Sequence, residues 1–319
     1  MKQIKENRKS LNKKSGLRAT IWQYRYIYLM AIPVMLWYLI FAYLPMYGIT
    51  FAFRKFAPGG GIKNFIVGGE WVGFGFFKQI MSDPLFWRAF KNTLVLSAMK
   101  LLLNFPVVIF LVLMLNEIRF KMFKKISQTI MYLPHFFSWV IMGTIMTQLL
   151  SINGGIIPNI AVALTGGDKP NLLTDPEHFR WVLVISSCIK NMGWDTIIYL
   201  SALAGIPYEL YEAAAIDGAS RARRIMSITL PCLLPTIITM LLIRISHMIG
   251  GDFDQVYNLY NSTVYEVADI IETYLYRIGL TSGKFSLATA MGLFKSVIGL
   301  GMLAGANTLS KKLTGNGIW

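Results

Sequence analysis

The sequence predicts an all-α, polytopic membrane protein with six transmembrane helices, and three observations lead to this fold class. Of the 319 residues, 55% are hydrophobic and only 15% are charged, whereas about a quarter of the residues in a soluble protein are charged. Apolar stretches long enough to cross a bilayer recur along the chain. Basic residues collect in alternate connecting segments, which sets an orientation. The two cysteines, Cys188 and Cys232, lie in separate apolar stretches and predict neither a disulfide framework nor a metal site.

Each predicted span is a stretch of roughly 20 apolar residues, the length that a helix needs to cross a bilayer core of about 30 Å. We place the spans at 27–49, 93–115, 127–150, 180–203, 228–250 and 286–308. No charged residue occurs between Arg25 and Arg54, and this run is too long for a signal peptide, so we predict an uncleaved first span. Pro134 lies near the start of the third span, where a membrane helix tolerates it.

The distribution of Lys and Arg predicts that both termini lie in the cytoplasm. The cytoplasmic segments then hold 17 basic and 5 acidic residues, and they are 1–25, about 116–126, about 204–227 and 309–319. The external loops hold 8 basic and 10 acidic residues, and they are about 50–89, 151–178 and 251–285. This asymmetry follows the positive-inside rule. The net charge of +15 is therefore explained by membrane topology, and we expect no nucleic-acid partner.

We expect the chain to be embedded in lipid in the plasma (inner) membrane, as a single transmembrane domain with two flanking segments. The basic cytoplasmic N-terminal segment covers 1–26, the transmembrane domain covers 27–308, and the cytoplasmic tail covers 309–319.

The cytoplasmic loop at about 204–227 contains a predicted short helix with a small-residue face. Pro207 suits the first position of a helix, and Glu209 lies in an early turn, where negative charge is favoured. Gly218 can end the helix with a positive φ angle. Small side chains allow another protein to approach closely, so we predict that this helix docks on a partner. The candidate docking residues are Glu209, Glu212, Ala213, Ala214, Asp217, Gly218 and Ala219.

This segment resembles the EAA loop of binding-protein-dependent ABC importer permeases, in which Glu-Ala-Ala is followed at fixed spacing by Gly and by Ile-x-Leu-Pro. The matching residues are Glu212-Ala213-Ala214, Gly218 and Ile228-Thr229-Leu230-Pro231. One departure is Ile225, where the sugar permeases commonly have Phe. Further segments are similar to the LplB/YteP-type polysaccharide permeases of the maltose-permease superfamily, and they are 43–48, 92–93, 132–134, 269–274, 276–280 and 292–294.

The resemblance implies the type I ABC importer permease fold, with a cytoplasmic EAA coupling helix at the candidate docking residues. It also implies the partners of such a permease. These are a second homologous permease subunit, two copies of a cytoplasmic ABC ATPase, an extracytoplasmic solute-binding protein and an oligosaccharide substrate.

Nothing in the sequence predicts that this chain is itself an enzyme. The nearest approach to a phosphate-binding loop is 279–285, which has one spacer residue too few and Phe285 in place of Ser or Thr. The three histidines are widely separated, at His135, His178 and His247. We therefore expect no metal site and no cofactor bound by this chain, with ATP and Mg²⁺ bound at the partner ATPase.

Charged residues at bilayer depth are energetically costly and therefore face a cavity or a partner. The charged candidates for a substrate pathway are Lys100, Lys190, Asp195, Arg244 and Lys295. They either pair within the chain or with the second permease, or they leave a positive cavity, because Asp195 cannot neutralise four cations. Polar and aromatic candidates are Trp139, Asn191, Trp194 and Tyr199, for which ordinary helix packing is the alternative interpretation.

These residues lead to a specific expectation about function, with two alternatives left open. The expected activity is the import of oligosaccharides by alternating access driven by a separate ATPase dimer. Membrane-depth Arg and Lys would attract carboxylates, so the expected sugar is acidic, such as a uronate-containing fragment of pectin or alginate. Neutral oligosaccharides are the alternative if partner carboxylates neutralise these cations. An ion-coupled secondary transporter would also explain buried charge, but the sequence shows no inverted repeats.

Overall fold

The computed structural model describes residues 21–56, 58–59 and 61–315, and these residues form helices joined by shorter connections. Within them, β pairing is limited to an isolated bridge between Arg54 and Trp71. The helices are α1 (Arg25–Ala52), α2 (Gly61–Val67), α3 (Gly75–Met81), α4 (Pro84–Glu117), α5 (Lys121–Phe136), α6 (Trp139–Leu150), α7 (Ile156–Thr165), α8 (Pro176–Ala204), α9 (Tyr208–Ile216), α10 (Arg221–Ser246), α11 (Phe253–Leu259), α12 (Tyr265–Ala268), α13 (Ile271–Tyr276) and α14 (Phe285–Thr314). Most of the predicted N-terminal segment and the end of the predicted tail lie outside the described residues.

Four of the described helices are long and apolar enough to cross a membrane, namely α1, α4, α10 and α14. Helices α5 and α6 pass the same test only together, as a pair bent by 103°. Helix α8 has 29 residues but is not in this group, and polar residues such as Lys190, Asn191 and Asp195 lower its mean hydropathy. The predicted count of six spans therefore requires both the bent pair and α8 to cross.

The second and fourth predicted spans begin earlier in the structure than the hydropathy indicated, at Pro84 and Pro176. In each helix the preceding aspartate, Asp83 or Asp175, accepts a hydrogen bond of 3.0 Å from a backbone N–H of the first turn. Proline suits the first position because it lacks an N–H that would need a partner there. These caps extend both helices beyond the predicted starts of their apolar stretches, at 93 and 180.

The predicted continuous span at 127–150 is corrected by the structure to two helices at a steep angle. Helix α5 ends at Phe136, and α6 begins at Trp139. The Ser138 hydroxyl accepts a hydrogen bond of 3.3 Å from the backbone N–H of Ile141 and so caps the new helix. Pro134 in the last turn of α5 has no N–H and removes one bond of the helical ladder. Local capping therefore turns the chain inside an uninterrupted apolar stretch.

Helix α8 is the centre of the bundle and packs against α4, α5 and α10. The closest approach is at Gly193, where an added Cβ atom would lie 2.0 Å from the carbonyl oxygen of Met131 in α5. Only a residue without a side chain fits at this contact. The apolar cluster shared by α4, α8 and α10 consists of Val108, Val112, Tyr199, Leu203 and Leu233. These contacts fix three helices around one space.

Helix α1 differs from the other apolar helices because most of its length lies outside the packed core. None of the residues in its apolar window is buried, and its mean hydropathy there is 2.0. Burial begins only at its end, with Phe51 and Ala52. An apolar surface of this size is stable only against lipid or another apolar surface.

Candidate transport cavity and docking helix

A cavity of about 500 Å³ lies between α4, α8 and α10, beside the bend that joins α5 to α6. Seven of the nine predicted pathway residues line it, namely Lys100, Trp139, Asn191, Trp194, Asp195, Tyr199 and Arg244. The other two, Lys190 and Lys295, are not on its walls. The structure therefore brings most of the candidates together in one space, although they come from four different helices.

Arg244 of α10 and Asp195 of α8 form an ion pair on the cavity wall. A single guanidinium nitrogen, Nη2, donates to both carboxylate oxygens. Asn104 of α4 donates a further hydrogen bond of 2.8 Å to the Asp195 carboxylate. The Arg244 side chain is 39% exposed, and its Nε and Nη1 groups form no hydrogen bond with the residues that the structure describes. Arg244 therefore keeps N–H groups that an incoming molecule can use.

Lys100 is paired as well, with a carboxylate that the sequence analysis assigned to an external loop. Its Nζ lies 2.8 Å from Asp252 Oδ1 and also donates to the Gln255 side chain. The chain turns back at Gly251, whose φ of +100° is a conformation that residues with side chains rarely adopt, and this turn brings Asp252 onto the cavity wall. Lys100 is therefore paired within the chain, which was one of the alternatives, and Asp195 is not the only carboxylate beside these cations.

Lys295 of α14 has a third carboxylate partner, Glu272 of α13. The pair packs against Gly250, where an added Cβ atom would lie 3.0 Å from Glu272 Oε1 and from Lys295 Nζ. Glu272 also belongs to the predicted external loop 251–285, so it was not a predicted partner for a cation at membrane depth. Three of the four cations thus have carboxylate partners within this chain.

Lys190, the fourth cation, caps the end of α5 instead of facing the cavity. Its ammonium group donates to the backbone carbonyl oxygens of Pro134 (3.4 Å), His135 (2.8 Å) and Phe137. Carbonyl groups in the last turn of a helix lack partners within the helix, and together they carry a partial negative charge. The side chain is 7% exposed, and its Nζ lies 5.5 Å from the centre of the Trp139 ring. Lys190 therefore holds the bend whose residues line the cavity.

The cavity wall also carries an aromatic stack and polar atoms without partners. His135 and Trp194 lie parallel, with ring centres 4.6 Å apart and an angle of 7° between the planes. Asn104 Oδ1 and His135 Nδ1 are buried and have no hydrogen-bond partner among the described residues. Such atoms are costly unless water or a ligand satisfies them. The sequence analysis missed Asn104, although its position one helical turn after Lys100 was an available signal.

The candidate docking residues lie on and just after α9, which begins one residue later than predicted, at Tyr208. The helix ends in a Schellman motif. The N–H of Ala219 donates to the Ala214 carbonyl at 2.8 Å, and the N–H of Gly218 donates to the Ala215 carbonyl at 3.1 Å. Gly218 has a φ of +74°, so its predicted role in ending the helix is confirmed.

The surface of α9 is open, and one side chain ties the helix to the bundle. The candidate docking residues are exposed or half-buried, and Tyr208 and Ile216 at the two ends are 72% and 87% exposed. The Tyr211 hydroxyl lies 3.0 Å from the hydroxyl of Thr229, which is buried in a π-helical turn near the start of α10. An exposed apolar helix fastened to α10 is suited to bind a protein and to transmit its movement.

Comparison with known proteins shows similarity along almost the whole chain. The chain is 42% identical over 307 residues to the polygalacturonan/rhamnogalacturonan transport system permease protein YteP of Bacillus subtilis, covering 96% of this chain and 94% of that protein. It is 42% identical over 295 residues to protein LplB of the same organism, covering 92% and 91%.

A solved bacterial ABC transporter involved in the import of the acidic polysaccharide alginate contains a chain with the same fold. The TM-score is 0.85 at 40% identity, covering 93% of this chain and 99% of that one. A second structure shows the bacterial alginate transporter in complex with an alginate pentasaccharide-bound periplasmic protein, with a TM-score of 0.84. The predicted resemblance to ABC importer permeases of the LplB/YteP type is thus confirmed. The family model of the binding-protein-dependent transport system inner membrane component matches residues 105–315, which include most of the cavity and all of the docking helix, and the chain belongs to this family.

Proposed function

We propose that this chain is the membrane-spanning subunit of an ABC importer that moves oligosaccharides through the cavity between α4, α8 and α10. The cavity itself carries the proposal, because aromatic rings and polar side chains line it together. Sugar rings present C–H groups on their faces and hydroxyls on their edges. Trp139 and Trp194 suit the faces, whereas the Asn191 amide and the remaining N–H groups of Arg244 suit the hydroxyls. Two of the similar proteins, a polygalacturonan/rhamnogalacturonan transport permease and a transporter involved in alginate import, support the same substrate class.

We further propose that the transported sugar is acidic, and the Arg244 side chain is the main structural support for this proposal. Arg244 uses only Nη2 on Asp195 and keeps Nε and Nη1 for a ligand, and a guanidinium group binds carboxylates through two parallel hydrogen bonds. The attraction exceeds its value in water because the site has a reduced dielectric constant. Arg244 and the similar proteins support an acidic sugar, whereas the lysines do not, because each is already bonded within the chain. Lys100 and Lys295 pair with carboxylates, and Lys190 donates to backbone carbonyls.

Neutral oligosaccharides remain the second candidate, and the internal ion pairs favour them. Three carboxylates within the chain compensate three of the four cations. A cavity compensated in this way does not require charge on its substrate. An ion-coupled secondary transporter is not proposed, because the chain belongs to a binding-protein-dependent family.

The other subunits of the transporter are proposed from membership of the family. A second homologous permease, two ABC ATPases that bind ATP and Mg²⁺, and an extracytoplasmic solute-binding protein complete the complex, and this chain binds no cofactor. Helix α9 is the coupling helix, and its movement with the ATPase is transmitted to α10 through Tyr211 and Thr229. Tilting of α10 then changes the position of Arg244 relative to Asp195. The cavity thereby opens alternately to the two sides of the membrane.

We also propose six crossings, by α1, α4, the bent pair, α8, α10 and α14, with both termini in the cytoplasm. The test uses single cysteines in a Cys188→Ala, Cys232→Ala background. Asn171→Cys and Ser262→Cys are expected to react with an impermeant thiol reagent in intact cells, and Lys124→Cys only after permeabilisation. The opposite pattern at any of the three sites would refute the topology.

The charge of the transported sugar is tested with the assembled transporter in proteoliposomes. One set of vesicles contains oligogalacturonate, and the other contains a neutral oligosaccharide of equal length. Each sugar is presented with its binding protein, and transport and ATPase activity are measured. We expect Arg244→Ala to lose acidic transport and Arg244→Lys to keep part of it, with exposed Arg119→Ala as the unchanged control. Stimulation by the neutral sugar alone, or acidic transport that is indifferent to Arg244→Ala, would reject the acidic substrate.

A further inference from the structure

Helix α5 has an apolar face that no other part of the described chain covers. The helix buries none of its residues completely, and the half-buried Gln128, Met131 and His135 recur at helical spacing on the side that contacts α8. Four apolar residues on the opposite side are between 47% and 74% exposed, and they are Met122, Ile126, Ile130 and Leu133. A surface helix usually turns its apolar face to the core. The reversed arrangement indicates that lipid or another protein contacts the outer face of α5.

The start of α5 carries lysines that have no anionic partner. Lys121 and Lys125 are exposed and lie one helical turn apart, and Lys124 between them is half-buried. Their ammonium groups form no ion pair with the residues that the structure describes. Positive charge is unfavourable in the first turn of a helix, because the N-terminus itself carries a partial positive charge. An anionic partner from outside the described chain would compensate both effects.

The lysines lie level with the end of α8 that leads into the docking helix. Helices α5 and α8 are antiparallel where they touch, because Met131 lies beside Gly193 whereas His135, later in α5, accepts a hydrogen bond from Lys190, earlier in α8. Lys121 precedes Met131 by ten residues, about 15 Å of helix, which brings it to the level of the last turn of α8. In the proposed topology this is the cytoplasmic edge of the bilayer, and the apolar face runs from there into the membrane.

We propose that the start of α5 binds anionic phospholipids of the cytoplasmic leaflet, whose phosphate groups contact Lys121 and Lys125 and whose acyl chains pack along the apolar face. Lysine attracts phosphate as a point charge, and its stem lies along apolar surface while the ammonium group stays among the headgroups. Charge complementarity favours this occupant. A neutral lipid would leave the lysines uncompensated, and a soluble protein would cover the lysines but not the apolar residues that continue to Leu133. The inference goes beyond the proposed function and does not depend on the sugar.

The test measures lipid contact in the assembled transporter, in bilayers of phosphatidylcholine and phosphatidylglycerol. A dansyl group is attached at Met122→Cys in the Cys188→Ala, Cys232→Ala background, and spin-labelled lipids of either headgroup quench its fluorescence. We expect half-quenching at a mole fraction of phosphatidylglycerol at least about fivefold lower than that of phosphatidylcholine, the factor that one lysine contributes near an anionic surface. The same label at Ile126→Cys supplies a second reporter.

Paired substitutions assign the selectivity to the two lysines. Lys121→Gln with Lys125→Gln should bring the two half-quenching fractions together, whereas Lys121→Arg with Lys125→Arg keeps the charge and should behave as wild type. Lys78→Gln with Lys169→Gln removes the same charge from exposed positions in the predicted external segments and should leave the difference unchanged.

Three outcomes would overturn the lipid site. Equal quenching by the two lipids would show contact with the bilayer without selection of the headgroup. Quenching by neither lipid would show that another subunit covers this face of α5. Selectivity that survives Lys121→Gln with Lys125→Gln would assign it to other residues. Each of these outcomes is independent of whether the transporter carries an acidic or a neutral sugar.

Discussion

Replacing Lys190 with Met should weaken the bend between α5 and α6. The ammonium group donates to the carbonyl oxygens of His135 and Phe137, and more weakly to that of Pro134. Methionine fills a similar volume but donates no hydrogen bond. Each buried acceptor left without a donor costs about 1–3 kcal/mol, so two give about 2–6 kcal/mol. Part of this cost is offset because a buried ammonium group no longer has to be desolvated, and we expect a net loss of about 3 kcal/mol.

The assay is thermal unfolding of the purified chain in nanodiscs, together with amide hydrogen exchange. For Lys190→Met we expect a midpoint lower by several degrees and faster exchange of the amides at 137–141. Lys169→Met, at an exposed position, should leave both unchanged. A wild-type midpoint and wild-type exchange, combined with lost transport of an acidic sugar, would refute this reasoning. Lys190 would then be a substrate-binding cation and not a helix cap.

Three further predictions concern contacts that hold the machine together. Gly193→Leu should destabilise the bundle by at least about 1–3 kcal/mol, because a side chain there overlaps Met131; an unaltered unfolding midpoint would contradict this. Gly218→Leu should strain the end of α9 locally by about 1–2 kcal/mol, because Gly218 has a φ of +74°. This variant should bind the ATPase more weakly, while the unfolding midpoint of the bundle stays unchanged. Wild-type binding of the ATPase in a pull-down would count against the docking role. Tyr211→Phe and Thr229→Val should keep ATPase capture but lower the sugar transported per ATP hydrolysed, whereas Thr229→Ser should behave as wild type. Unchanged coupling in both hydroxyl-free variants would exclude this link.

Local signals predicted where α9 ends. The end of α9 depends on a left-handed glycine and on backbone bonds within a few residues, so Gly218 could be read from the sequence. The bend after Phe136 could not be read in this way. Its cap, Lys190, comes from α8, more than fifty residues later in the chain. Hydropathy indicates one uninterrupted apolar stretch there, because it depends only on local residues and not on a cation that another helix supplies.

The carboxylate partners of the membrane-depth cations could not be identified from the sequence, for a related reason. Lys100 and Arg244 were candidates because charged residues avoid lipid, and both line one cavity. Their partners depend on tertiary structure: the chain reversal at Gly251 brings Asp252 back to α4, and α13 carries Glu272 to α14. Residues that a topology count assigns to an external loop can therefore neutralise charges at membrane depth.

The exposed apolar window of α1 has a consequence for how the protein unfolds. The end of α1, at Tyr47–Ala52, packs against α14, but the apolar window of the helix buries nothing in the rest of the chain and loses almost no contacts when the core unpacks. It should behave as an independent unit that stays inserted after the remaining bundle has melted, as long as the bilayer is intact. The unfolding midpoint of the bundle consequently does not report on this apolar window. Its anchoring depends on the surface that covers it, and so varies with lipid composition and with the presence of a partner subunit.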